Sequence, residues 1–121
     1  MDHLQVIREA WEAVSRGDLS ALDAILAPNA THDGDGPWGH EGRPAVLESM
    51  RRNLDGLRGH VADLFGVGDR VIVALQLFPR RGVTWAFDDG VRYVVLTMRD
   101  RLIVEMRAFT ERHTAVEYAA A

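Results

Sequence analysis

The densest run of chemically useful side chains lies between residues 32 and 41, where His32, Asp33 and Asp35 are followed by His40 and Glu41. An imidazole titrates near neutrality, so it can take a proton and return it within one reaction cycle. A carboxylate within reach would orient the ring. His32 and Asp35 are therefore the candidate catalytic pair, with Asp33 and His40 as other partners for the imidazole. A lone histidine more often serves as a hydrogen-bonded structural residue, and that reading stands beside the catalytic one. The same run could be taken for metal ligands, but its spacing fits no standard site. Counted from Asp33 as a calcium loop, the twelfth position is Pro44 and not glutamate. Turn-forming residues account for Asp33-Gly-Asp-Gly-Pro37 without an ion. No metal and no cofactor is implied.

Other side chains could bind a ligand without reacting. Trp38 stands beside Gly36, Pro37 and Gly39 and has few local packing partners, which suits the rim or lid of a pocket. Trp11 falls on an apolar helix face. Met50 and Met106 fit a core or an adaptable pocket wall. Gln76 is the polar residue of an otherwise apolar strand, and a buried amide needs a partner, either a ligand or a second copy. With His40, these make up the candidate binding set. Arg51, Arg52, Arg80 and Arg81 read as solvated charge.

Composition removes several chemistries. The 121 residues carry a net charge of −4, with 47% hydrophobic and 26% charged residues, the balance of a single domain over residues 1–121. All 14 basic residues are Arg, and Cys is absent. This excludes a side-chain Schiff base, a P-loop lysine, a thiolate nucleophile, a disulfide and Cys-ligated zinc. No basic stripe is present, so nucleic acid is not an expected partner. The longest uninterrupted apolar run, Val71 to Leu75, is far too short to cross a membrane. No signal-peptide core follows Met1-Asp2-His3, and the expected location is the cytoplasm. A small apolar molecule and a second copy of the chain are the expected partners.

These residues must be held by regular elements. Leu4, Ile7, Trp11 and Val14 recur at helical spacing, and Gly17 can end that helix. Asp18 can cap a second helix bearing Leu19, Leu22, Ile25 and Leu26, which Pro28 and Asn29 stop. Ala30 to Gly34 reads as a short strand. Pro44 opens a third helix with Val46, Leu47, Met50 and Leu54 facing inward. From His60 the period changes to that of strands. Val61–Val67 and Val71–Phe78 flank a Gly68-Asp69 turn, Val83–Phe87 is a short strand, and Asp89-Gly90 is a hairpin signal. Val91–Met98 and Leu102–Phe109 form the last hairpin around Arg99-Asp100-Arg101. A short helix follows Thr110, the expected cap. The class is α+β, with helices on one face of a mostly antiparallel sheet. Val71–Phe78 and Val91–Met98 are apolar at both parities, so both faces need cover. The expected cover is a second copy, giving a homodimer through the sheet.

The chain resembles the nuclear transport factor 2-like superfamily in its polyketide-cyclase-like, or SnoaL-like, branch. The resemblance rests on Arg16-Gly-Asp-Leu-Ser-Ala-Leu-Asp23, Ala27-Pro-Asn-Ala-Thr31, Gly42-Arg-Pro-Ala-Val46, Gly68-Asp-Arg-Val-Ile-Val73 and Arg99-Asp-Arg-Leu-Ile-Val-Glu-Met-Arg-Ala-Phe109, and spans about residues 4 to 118. It implies a cone, in which a strongly curved sheet wraps a long helix around a mostly apolar pocket, and it implies dimers. It puts His32 and Gly34 on the pocket side of their strand. It also exposes two absences. Where ketosteroid isomerases of this fold carry their Tyr and two Asp, this chain has Ala10, Gly34 and Val94 or Val95. The Asp–Arg–Asp set of limonene-type epoxide hydrolases would need an Asp at Ala108 and charged residues within Val71–Phe78, where only Gln76 is polar. The implied function is binding of a small apolar carbonyl compound, with acid–base isomerase, cyclase or dehydratase chemistry at His32. The alternative is a non-catalytic binding or dimeric interaction module.

Overall fold

A computed structural model describes residues 3–32, 40–54, 58–78 and 90–121. The first apolar stripe forms helix α1 (His3–Val14), which buries Ile7, Ala10, Trp11, Ala13 and Val14. Gly17 ends the turn after it at φ +87°, a conformation open to glycine. Asp18 then accepts hydrogen bonds from the Ser20 backbone N–H at 3.0 Å and the Ser20 hydroxyl at 2.7 Å. These bonds, the backbone one first, hold the Asp18 carboxyl below the usual carboxylate range. Asp18 thus forms a local turn just ahead of helix α2 (Ser20–Ile25), but the cap position falls on Leu19, which makes no side-chain capping bond, so the cap expected at Asp18 lies one residue too early.

The helix stops earlier than its apolar spacing suggests. Strand β1 (Leu26–His32) begins directly at Leu26 and runs through Pro28 and Asn29. Both residues are exposed there. The pairing of β1 with the late strand β6 (Leu102–Phe109) is irregular between Leu26 and Thr31, so Pro28 is not needed as a ladder donor. Strand β2 (His40–Glu41) pairs only with the end of β1. Helix α3 (Arg43–Leu54) follows and buries Val46 and Met50 while exposing Arg51 and Arg52.

The remaining strands are β3 (Arg58–Val67), β4 (Arg70–Phe78) and β5 (Val91–Arg99). Gly68, at φ +58°, turns β3 into β4. Asp100 and Arg101, at φ 54° and 67°, make the tight turn from β5 to β6. Positive φ at both central residues is the geometry whose twist matches a hairpin. Among the described residues the sheet order is β2-β1-β6-β5-β4-β3, antiparallel except for the β1–β6 pair. Irregularities at Val61/Asp63 and Thr97/Met98 interrupt the ladders. Such bulges bend strands, and the sheet is curved and unclosed. The first also explains why Val61–Val67 alternates imperfectly in sequence. Gly90 takes φ +78° beside β4, and a Cβ there would sit 2.5 Å from the Leu77 carbonyl oxygen. The residues 33–39, the proposed strand Val83–Phe87, and Asp89 lie outside the described residues.

The concave face carries Val71, Val73, Leu75, Val94, Leu96 and Met106, packed on α1 and α3. The opposite face is covered in a way the sequence reading does not anticipate. Helix α4 (Arg112–Ala120) lays Ala115 and Ala119 against Ile72 and Val95, both fully buried. Cover for the second face is thus supplied by the chain itself over this area. Tyr93, Phe65 and Phe109 pack around the same cluster. The helix begins after Glu111 instead of Thr110, and Glu111 makes no side-chain capping bond.

Arg70 fastens the far end of α4. Its guanidinium donates to the Tyr118 carbonyl at 2.7 Å and to the Thr97 hydroxyl at 3.1 Å, and lies 4.9 Å from the Tyr118 ring centroid. The Tyr118 hydroxyl donates to a carboxylate oxygen of Glu105. That bond, helped by burial, raises the Tyr118 pKa above the ordinary tyrosine value near 10. Because the folded pKa is raised, the bond stabilises the fold fully below the ordinary value and is lost as pH rises through the folded one. Alkaline titration at 295 nm, taken as the difference between wild type and Tyr118→Phe, should show a phenolate midpoint above 10 that falls back in Glu105→Gln. A midpoint unmoved by Glu105→Gln would rule out this account of Tyr118.

Candidate functional site

The concave side of the sheet does not close fully onto the helices. A cavity of about 210 Å³ remains between them. Helix α1 contributes Trp11 and Val14 to its wall, and α3 contributes Met50. Strand β1 contributes His32, β4 Leu75 and Leu77, β5 Arg92 and Val94, and β6 Met106 and Ala108. The volume falls below the roughly 300–1,000 Å³ of pockets for drug-sized ligands and suits a compact molecule.

Strand register explains why these side chains meet. Residues directly opposite each other share a sheet face. His32 stands opposite Met106, which stands opposite Leu96, and Leu96 opposite Val71. Ala108 pairs with Val94, and Arg92 with Leu75. His32 and Arg92 therefore share the concave face, two strands and four residues apart. They are too far apart along the sheet to act as a dyad. A ligand lying along β6 and β5 would reach from one to the other.

Among the described wall residues, His32 and Arg92 are the titratable groups, and the wall is otherwise apolar apart from one indole N–H. His32 is half-buried, and its Nδ1 is shielded from solvent. Trp11 is 2% exposed, and its Nε1 has no hydrogen-bond partner among the described residues. An unanswered donor of this kind costs about 1–3 kcal/mol. Arg92 donates one bond to the Val91 carbonyl oxygen at 3.0 Å.

The structure brings together four of the residues selected from the sequence, Trp11, His32, Met50 and Met106. It sets Gln76 apart. That residue is opposite His60 and Val91, on the face of β4 turned away from the cavity, and its amide donates to the Leu77 carbonyl at 3.4 Å. Alternation along β4 decides this, since Leu75 and Leu77 take the concave side. The backbone of His40 pairs directly with that of His32. Asp33, Asp35 and Trp38 lie outside the described residues, and so does Gly34. Arg92 is the wall residue that the sequence reading does not single out. No sequence signal singles it out, because β5 is apolar on both faces and only the register opposite Leu75 puts Arg92 on the concave one. Val94 and Ala108, positions the resemblance singles out, also line the wall.

A curved sheet wrapped on helices, with an apolar cavity on its concave side, is the cone-shaped α+β architecture. The family model of the SnoaL-like domain matches residues 7–106, and the chain belongs to that family. Among solved structures it is similar to Bal32a from a soil-derived mobile gene cassette, with 18% identity over 98% of this chain and 96% of that one and a TM-score of 0.76. It is also similar to a candidate polyketide cyclase from Sinorhizobium meliloti, with 18% identity over 90% of this chain and all of that one and a TM-score of 0.71. A third similar structure is a protein of unknown function with a cystatin-like fold from Methylobium petroleophilum, 18% identical over 91% of this chain and 76% of that one, TM-score 0.69. At these identities the likeness is one of fold. No curated protein matches the chain.

Proposed function

We propose that this chain binds a compact, largely apolar carbonyl compound in the cavity between α1, α3 and the sheet, and that His32 moves a proton on it. The reaction class is isomerisation, cyclisation or dehydration. The observation that carries the reading is the imidazole of His32 in the wall of a cavity whose other described lining is apolar apart from Arg92 and the Trp11 indole N–H. In such surroundings a single acid–base group acts on the bound molecule with little competition from water. Family membership and the candidate cyclase among the similar structures support the same class. Among the described residues no helix is long and apolar enough to cross a membrane. A cytoplasmic location is part of the proposal.

Binding comes before chemistry and is tested first. A ligand present at a hundred times its Kd stabilises the folded state by about 2.7 kcal/mol, enough to move the melting temperature by several degrees. A panel of compact cyclic ketones, lactones and enones should contain compounds that do this. If none of cavity size shifts the transition, and none copurifies with the protein in mass spectra, the binding reading fails.

A homodimer through the sheet belongs to the proposal as well. Helix α4 leaves part of the outer face bare, and Phe78 on that face is 47% exposed, the large apolar side chain left open among the described residues. Light scattering should give twice the 13.5 kDa chain mass. Phe78→Asp should shift it toward the single-chain value. A wild-type protein that stays monomeric at high concentration would remove the dimer.

A further inference from the structure

We infer that the indole N–H of Trp11 holds the ligand's oxygen, and that Trp11 thereby selects a molecule with a hydrogen-bond acceptor over a hydrocarbon of the same shape. The inference rests on the binding reading above and assigns one end of the ligand to one atom of the wall.

Three observations carry it. Trp11 borders the cavity from α1, the helix packed against the concave face of the sheet. It is 2% exposed, and its Nε1 is sealed from solvent with no acceptor among the described residues. The backbone of the same residue is satisfied, since the Trp11 carbonyl accepts from the Ser15 N–H at 3.0 Å. Ser15, one helical turn on, directs its hydroxyl to the Glu12 carbonyl at 2.6 Å. The unanswered group is thus the indole nitrogen alone. A buried tryptophan normally finds a partner for that nitrogen, and leaving it unpaired costs free energy. Neither the described chain nor bulk water supplies the partner, and a molecule in the adjoining cavity would.

The chemistry of the group narrows what that molecule offers. An indole nitrogen donates one hydrogen bond and accepts none. It answers a lone pair, as on a carbonyl oxygen, and it cannot answer a second donor. It moves no proton, so its task is to hold and orient. Trp11 on α1 would fix the oxygen, and His32 on β1 would meet another atom of the same molecule.

Matched ketones and alkenes test this, because C=O and C=CH2 are nearly alike in shape and only the first is a good acceptor. The probes are cyclohexanone with methylenecyclohexane and cyclooctanone with methylenecyclooctane, titrated into wild type and Trp11→Phe. Proton NMR follows the indole N–H signals, of which the chain has three. Trp11→Phe removes one and so identifies it. In wild type that signal should move downfield with the ketones and not with the alkenes. The ketone-to-alkene affinity ratio should fall about five-fold or more in Trp11→Phe, which keeps an aromatic wall and lacks the donor. Comparing ratios removes the loss of apolar contact that both probes share. Ketones that bind wild type without the downfield movement would overturn the assignment and leave the binding reading standing. So would a ratio unchanged in Trp11→Phe. If neither ketones nor alkenes bind wild type, both readings fall together. Should Trp11→Phe not fold, Trp38→Phe and Trp85→Phe identify the Trp11 signal by elimination, and its response in wild type decides the matter.

Discussion

Replacing His32 with Gln should abolish turnover of any substrate the cavity accepts and leave its binding nearly intact. A positioned general acid–base group contributes typically about 10²–10⁴-fold to rate. Glutamine keeps a polar side chain of similar reach but cannot cycle a proton. The expected signature is a fall of that size in kcat with KM or Kd within a few-fold of wild type. The variant should fold, because His32 is half-buried at the end of β1 and not in the sealed core. If His32→Gln turns over normally, His32 is not the proton-moving group. If binding collapses in step with turnover, His32 holds the ligand and does no chemistry, and the cavity is a binding site alone.

Ending the chain at Thr110 should destabilise the fold about as severely as a single structural change can. The truncation removes α4 and uncovers Ile72 and Val95, both now at 0% exposure. Each buried aliphatic side chain of this size contributes about 1.5–3 kcal/mol, so the pair alone accounts for roughly 3–6 kcal/mol. A domain of this length holds only about 5–15 kcal/mol in total. Arg70 would also lose its contacts to Tyr118. The truncated chain should therefore unfold at much lower urea, or associate through the bared face. Sedimentation together with a urea titration distinguishes these results. Ala115→Arg in the full chain should act in the same direction, since Ala115 is fully buried against that cluster. A truncated chain that stays monomeric with an unchanged midpoint would show that α4 contributes nothing to the cover.

The contrast between α4 and the other helices shows what short-range patterning can carry. Helix α1 announces itself because Ile7, Trp11 and Val14 are large and spaced to one side. Helix α4 buries Ala115 and Ala119, whose small side chains let it lie close on Ile72 and Val95 but leave almost no hydrophobic signature in Arg112–Ala120. The need for cover on the second sheet face was legible in the two-sided apolar strands. Which segment answers it was not, and a second copy was the natural reading of an unanswered face. Pro28 and Asn29 looked like a break because proline is judged by what it denies a ladder. Here β1 makes no regular ladder at that point, so nothing is denied.

The site divides along the same line. The hairpin turns at Gly68 and Asp100-Arg101, the apolar stripe with Trp11, and the α3 residues Val46 and Met50 follow from local chemistry, since turn preference and periodicity act over a few residues. His32 could be placed in a pocket only through the resemblance, which supplies the face of β1 that a single short strand cannot. Gln76 and Arg92 show the limit most plainly. Both are polar residues in apolar strands, and in sequence they look alike. Their faces are settled by pairing partners far away in the chain, Gln76 by His60 and Val91, Arg92 by Leu75. A side chain's face in a strand depends on register, and register is a property of two or more segments at once. Composition and periodicity were enough for the class and for most of the described helices and strands, though not for β2 or for where α2 gives way to β1. The cavity, its cation and the cover of the outer face exist only where distant strands meet.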